Sequence, residues 1–142
     1  MVLKKKSLAQ DMLFMKQTTR DWLTAAEDDF LAAKKLIGED RLTNIVSFHC
    51  QQCLEKSFKA VIEEQGKPSI KSHDLLRLQL NANIKLNEPE STLLGIINEV
   101  YIDSRYPGDL GLLPHGKPTI KEAETFLEFC ESLFYKLKKQ IG

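Results

Sequence analysis

The side chains best suited to chemistry lie in two places along the chain. The first is a polar run, Gln51, Gln52, Glu55, Lys56 and Lys59. In a helix Gln51, Glu55 and Lys59 follow one another at four-residue steps and share a face, with Gln52 and Lys56 beside them. Amide and ammonium donors gathered on such a ledge could hold a phosphate group or a partner helix. The same spacing also suits a solvated face, with Glu55 preceding Lys59 in the favourable ion-pair order, and spacing alone favours that plainer reading. The second place is Asp103-Ser104-Arg105-Tyr106-Pro107. Tyr106 precedes a proline, is pushed to an extended conformation and ends a helix. Arg105 then stands at a helix end beside a loop, where a guanidinium can grip an anion through two N–H groups. It could equally complement the helix dipole.

The three histidines are less telling. His73 precedes Asp74, which could orient its ring as carboxylates orient catalytic imidazoles; a first-turn position beside a Ser72 cap is the favoured alternative. His115, in Leu113-Pro114-His115-Gly116, reads as a loop residue. His49 lies beside Cys50 and Cys53, whose C-x-x-C spacing raises the question of a metal. Structural zinc needs about four ligands, and no second cysteine pair exists. Both cysteines fall on an apolar helical stripe, so they are expected to pack as small hydrophobes. No phosphate-binding glycine loop, nucleophile elbow or H-E-x-x-H motif is present, and neither a metal nor a cofactor is expected.

Helices must position these groups. Trp22, Ala26, Phe30, Ala33 and Ile37 form one apolar stripe, stopped by Gly38. A second helix is expected from Thr43, as N-cap, to about Gln65, with Gly66 and Pro68 ending it; Val46, Cys50, Cys53, Leu54, Ser57, Phe58 and Val61 form its apolar side. A short helix follows over His73 to about Leu80, capped by Ser72. Pro89 suits the first turn of another, along which Leu93, Leu94, Ile97, Val100 and Tyr101 align. Ser104 to Pro118 holds three prolines and three glycines and cannot be one regular element. Thr119 and Glu122 resemble a capping box before the longest stripe, Ala123, Phe126, Leu127, Cys130, Leu133, Phe134, Leu137 and Ile141. No segment alternates at period two. The fold class is therefore all-α, an antiparallel up-and-down bundle of four to five helices.

At 142 residues the chain is long enough for one domain with a real core. We place the helical domain at residues 19–142, with residues 1–18 as an extension, helical or loosely held, and with Met15 as an alternative start. Twenty basic residues balance twenty acidic ones, which disfavours nucleic-acid binding driven by a whole-protein positive field. No apolar run reaches the roughly 18–20 residues of a membrane span. Gln10, Asp11 and Lys16 interrupt any signal-peptide core, and three cysteines form no secreted disulfide framework. A cytoplasmic protein without membrane association is expected.

Taken in order, these motifs resemble the HEPN domain family (higher eukaryotes and prokaryotes nucleotide-binding). The resemblance rests on Trp22 with Ala25-Ala26-Glu27-Asp28-Asp29, on Gln51 through Ala60, on His73-Asp74-Leu75, and on Tyr101 with Arg105-Tyr106-Pro107, across roughly residues 19–140. It implies a helical bundle that forms a homodimer, binds nucleotide or RNA, and acts with a minimal nucleotidyltransferase protein, as in toxin–antitoxin pairs. It implies ligand contacts from Arg105, Tyr106, Lys56, Lys59, Gln52, Glu55 and His73. Some family members are metal-independent ribonucleases with an R-x(4–6)-H motif. In this chain His115 is the first histidine after Arg105, with nine residues between, so the motif is not intact. The expectation leans towards a binding module rather than an enzyme. The alternatives are a ribonuclease using Arg105 with His115 or His73, and a purely structural dimerisation module.

Overall fold

A computed structural model describes residues 15–141. Expectations for residues 1–14, and the choice of Met1 or Met15 as start, lie outside the described residues. Five helices follow in order: α1 (Gln17–Leu36), α2 (Thr43–Glu64), α3 (Leu75–Asn81), α4 (Glu88–Asn98) and α5 (Ile120–Ile141). Among the described residues there is no strand, only an isolated bridge between Leu113 and Gly116. The all-α bundle expected from periodicity is what forms. α2 is its axis, packed against α1, α5 and α3. None of the described helices is long and apolar enough to cross a membrane.

The stripes become the core. Phe30, Phe58, Phe134, Leu54, Leu94, Ile97, Leu133 and Leu137 are buried with little or no exposure, and the Phe30 and Phe134 rings stack at 6.4 Å. Burial of one such side chain is worth about 1.5–3 kcal/mol. Cys50, Cys53 and Cys130 are free, fully buried thiols between α2 and α5, packing as small hydrophobes. Hydrogen bonding to Cys130 and burial push the Cys53 thiol well above its ordinary range. For Cys130 the main causes are a hydrogen bond with Cys50 and burial. The Cys53 and Cys130 thiols therefore stay protonated.

Helix ends follow the expected punctuation in most places. α1 stops at Leu36, and Gly38 takes the left-handed conformation with φ of 93°. Asn87 and Glu90 form a full capping box around Pro89 at the start of α4. Thr119 and Glu122 form another before α5, each side chain accepting from the other's backbone N–H at 3.0 Å. Those bonds, the Thr119 backbone first, hold the Glu122 carboxyl below its usual range.

Three boundaries differ from expectation. Thr43 is not the N-cap of α2; Leu42 holds that position without a side-chain bond, and Thr43 is the first helical residue, buried. A 3-10 turn over Asp40–Leu42 leads straight into the helix, so no extended capping residue is needed. α3 begins at Leu75 rather than His73, because Asp74, not Ser72, accepts from the Leu76 and Arg77 N–H groups. α4 ends at Asn98, leaving Tyr101 outside the helix and half exposed.

The segment from Glu99 to Thr119 is irregular but pinned. Tyr101 N–H donates to Leu112 O at 2.9 Å, and Gly111 N–H to Tyr101 O at 2.8 Å. Asn44 of α2 donates to Leu110 O at 2.9 Å, and the Ser47 hydroxyl donates to Gly111 O. Gly111 has φ of 75°, and a Cβ there would lie 1.8 Å from the Asn44 carbonyl oxygen. Gly111→Ala must therefore push the loop off α2. We expect a loss of about 2 kcal/mol or more in urea-denaturation stability, from left-handed strain plus lost packing. An unchanged midpoint would show that the loop does not dock as described.

Candidate functional site

α2 carries the polar run past the core at a slant, so its members differ in burial. Gln51 and Glu55 are 1% and 3% exposed. The solvated-face reading therefore fails for these two, while Gln52, Lys56 and Lys59 sit half-buried along the outer edge. A buried carboxylate is tolerated only when its charge is matched and its lone pairs are filled. Glu55 meets that demand. Lys59 donates to Oε2 at 3.0 Å, and His73 Nδ1 lies 2.8 Å from Oε1. Gln51 and Gln52 amides approach Oε1 at 3.4 and 3.5 Å. Gln51 also donates to the His73 carbonyl at 3.1 Å, and Lys59 lies over the Trp22 ring at 5.3 Å. This network ties α1, α2 and the link before α3 together.

His73 is thus oriented by a carboxylate, but by Glu55 and not by its neighbour Asp74. Asp74 is occupied as the N-cap of α3 and accepts from Asn98 Nδ2 at 3.1 Å. The geometry has a chemical consequence. A carboxylate only accepts, so Nδ1 of His73 carries a proton and donates it. In the neutral ring Nε2 then bears a lone pair. The side chain is 55% exposed, and Nε2 has no hydrogen-bond partner among the described residues.

A second carboxylate repeats the pattern. Asp29 of α1 is buried, with His49 Nδ1 at 2.8 Å from Oδ1 and Lys56 Nζ at 2.7 Å from Oδ2. Sequence reasoning picks out neither Asp29 nor His49 as a site residue. The signal was present: Asp29 falls seven residues after Trp22 and three after Ala26, on the apolar stripe, where an acid needs a partner.

Arg105 and Tyr106 stand apart from these carboxylates, both exposed on the loop after α4. Among the described residues Arg105 makes no ion pair. The root of its loop is nevertheless tied to the His73 turn. Asn98 accepts from Leu75 N–H at 2.8 Å and donates to Asp74. The far end rests on Asn44 and Ser47, about two to three turns before Glu55 on α2. His115 lies instead against Glu122 at 3.3 Å, beside the cap of α5. The structure does not pair it with Arg105. A cavity of about 350 Å³ beside the loop is lined by Glu99, Tyr101, Asp109, Leu112, Leu113 and Pro114. Its two carboxylates make it a poor seat for phosphate.

Comparison with known proteins fits this architecture. The HEPN domain family model matches residues 19–140, and the chain belongs to that family. Two solved structures share the fold at low identity. An archaeal HEPN homologue, ST0689, is 21% identical with a TM-score of 0.64, covering 90% of this chain and 100% of its own. TT1696 from Thermus thermophilus is 18% identical with a TM-score of 0.68, covering 89% of this chain and 100% of its own. No curated protein matches the chain.

Removing the Glu55 carboxylate leaves the largely buried Lys59 ammonium without its counter-charge. We expect Glu55→Ala to cost about 3 kcal/mol in denaturant unfolding and Glu55→Gln less, because the amide oxygen still accepts. Equal, negligible losses would mean the network is not formed.

Proposed function

We propose that this HEPN protein is a nucleotide- or RNA-binding module that acts as a homodimer with a minimal nucleotidyltransferase partner. One observation carries the reading: a buried carboxylate, Glu55, aims a half-exposed imidazole, His73, outward. When a phosphate approaches, the ring can take a second proton and donate from Nε2, with Glu55 offsetting the new charge behind it. Lys59 and Lys56 each give a hydrogen bond to a carboxylate. An ammonium has three donors, so one carboxylate does not exhaust it, and Lys56 is the more exposed of the two. Gln52 borders the same ledge, and Arg105 with Tyr106, exposed on a loop whose root at Asn98 is bonded to the turn after His73, is proposed to reach the same ligand. Glu55 contributes by holding the ring rather than by meeting the anion.

The homodimer and the nucleotidyltransferase partner follow from the family resemblance. Exposed Leu76 and Leu80 on α3 and Ile96 on α4 offer apolar area for association.

A second reading, a metal-independent ribonuclease, draws support from the same imidazole. Its open Nε2 could accept the proton of an RNA 2′-hydroxyl, with Arg105 on the phosphate. That favours His73 over His115, which lies against Glu122.

Calorimetric titration with adenosine 5′-monophosphate separates these readings. Binding should weaken in both Arg105→Ala and His73→Ala by about ten-fold or more, the value of a charge-assisted hydrogen bond. No binding to the wild type, with no nucleotidyltransferase co-purifying, would overturn the proposal. RNA cleavage in the presence of a chelator, lost in His73→Ala, would establish the ribonuclease instead.

A further inference from the structure

The segment between α4 and α5 holds a cavity that the proposed anion site does not use. Its volume is about 350 Å³, and Glu99, Tyr101, Asp109, Leu112, Leu113 and Pro114 line it. Its walls are fixed by the backbone. Tyr101 is joined to Gly111 and Leu112 by two hydrogen bonds, and Leu113 to Gly116 by two more. Gly111 is held against α2 by the Ser47 hydroxyl. The charge of the lining is one-sided. No basic side chain borders the cavity. Neither the Glu99 nor the Asp109 carboxylate has an ion-pair partner among the described residues. Glu99 is also the C-cap of α4, whose last turn contains no basic residue. A helix C-terminus carries about half a negative charge and favours a cation, so an acid there has the unfavourable sign. Arg105 lies four residues before Asp109 in sequence, yet it pairs with neither carboxylate.

We infer that this cavity receives an arginine side chain of a protein partner. The inference does not depend on the nucleotide-binding reading. Two uncompensated carboxylates beside a helix C-terminus call for a cation. The carbon surface of Leu112, Leu113 and Pro114 calls for an aliphatic stem behind it, which a basic side chain has and a metal ion lacks. A hard metal ion is also short of donors, since it takes about six oxygens. No group of three metal-ligating side chains is gathered among the described residues. Tyr101, half exposed, then separates the two basic side chains. A guanidinium is planar and weakly hydrated, stacks on an aromatic face, and has five N–H groups with which to meet two carboxylates at once. An ammonium is a compact, strongly hydrated point charge. The volume suits one side chain, because it lies at the lower end of the roughly 300–1,000 Å³ of small-molecule sites. Glu99, Tyr101 and Pro114 are exposed, so an arginine can enter while its own backbone stays outside.

The test is an NMR titration of the 15N-labelled protein with the N-acetyl amide of arginine, which stands for arginine within a chain. The same amides of lysine and of citrulline, the neutral isostere, are compared with it, as is free arginine. The arginine amide should give saturable shifts at the backbone signals of Glu99, Tyr101, Asp109 and Leu112, with a Kd in the millimolar range. Glu99→Gln and Asp109→Asn should each weaken binding by about three-fold or more, as expected for partly exposed charge pairs. The double variant should abolish it, with signals outside the segment unchanged to show that the fold is kept. Three results would each overturn the inference: no saturable shift in this segment, equal binding of the lysine or citrulline amide, or full binding by the double variant. Tighter binding of free arginine than of its amide would overturn the protein source and make the ligand a small molecule.

Discussion

The carboxylate of Glu55 sits on the central helix with almost no access to water, and much of the architecture answers to it. An isolated ion in such a place costs several kcal/mol even after relaxation. α2 supplies part of the compensation itself, through Lys59 and Gln51. The rest must come from outside the helix, and it comes from His73. The chain after Gly66 therefore has to run back along α2 until the imidazole reaches Oε1. Once His73 is set, Asp74 can cap α3 and Asn98 can latch the end of α4 to that cap. The irregular segment bearing Arg105 thus starts from a point defined, through three residues, by a buried charge.

Asp29 imposes the same demand between α1 and α2, and the two demands together explain the character of the interface. One side of α2 is a dry seam of Phe58, Cys53, Cys50 and Leu54. The other is a line of paired charges whose outer members reach solvent. Replacing such pairs with well-packed apolar residues is often neutral or stabilising. Their presence therefore calls for a role beyond holding helices together. Two imidazoles held by Nδ1, each with its second nitrogen free of its carboxylate, would supply one on the proposed reading: anion recognition with the counter-charge already built in. That is the physical content of the nucleotide-binding proposal.

Much of the fold could be read in the sequence, because apolar side chains at three- and four-residue steps leave few arrangements open. The stripes of α2 and α5, the Thr119–Glu122 box and the Pro89 start all form as periodicity and capping chemistry require. The helix edges that differed did so where a local rule had a tertiary competitor. Asp74 outcompetes Ser72 as cap because its carboxylate also takes a bond from Asn98. The site was legible in composition but not in arrangement. Spacing places Gln51, Glu55 and Lys59 on one face; it cannot say that the face is buried, since that depends on the return of residues 70–75. Asp29 was hidden for another reason. In the run Glu27-Asp28-Asp29 only its position on the apolar stripe distinguishes it from two ordinary surface acids.

The proposed anion recognition turns on the tautomer of His73. Nitrogen-detected NMR of the imidazole, in the neutral form of the ring, reads it directly. Geometry requires a proton on Nδ1, hydrogen-bonded to Glu55, and a bare Nε2 whose signal moves when phosphate is added. In Glu55→Gln the Nδ1 preference should weaken. A wild-type ring with its proton on Nε2, or one averaging freely between the two forms, would mean that Glu55 does not hold the imidazole for a ligand.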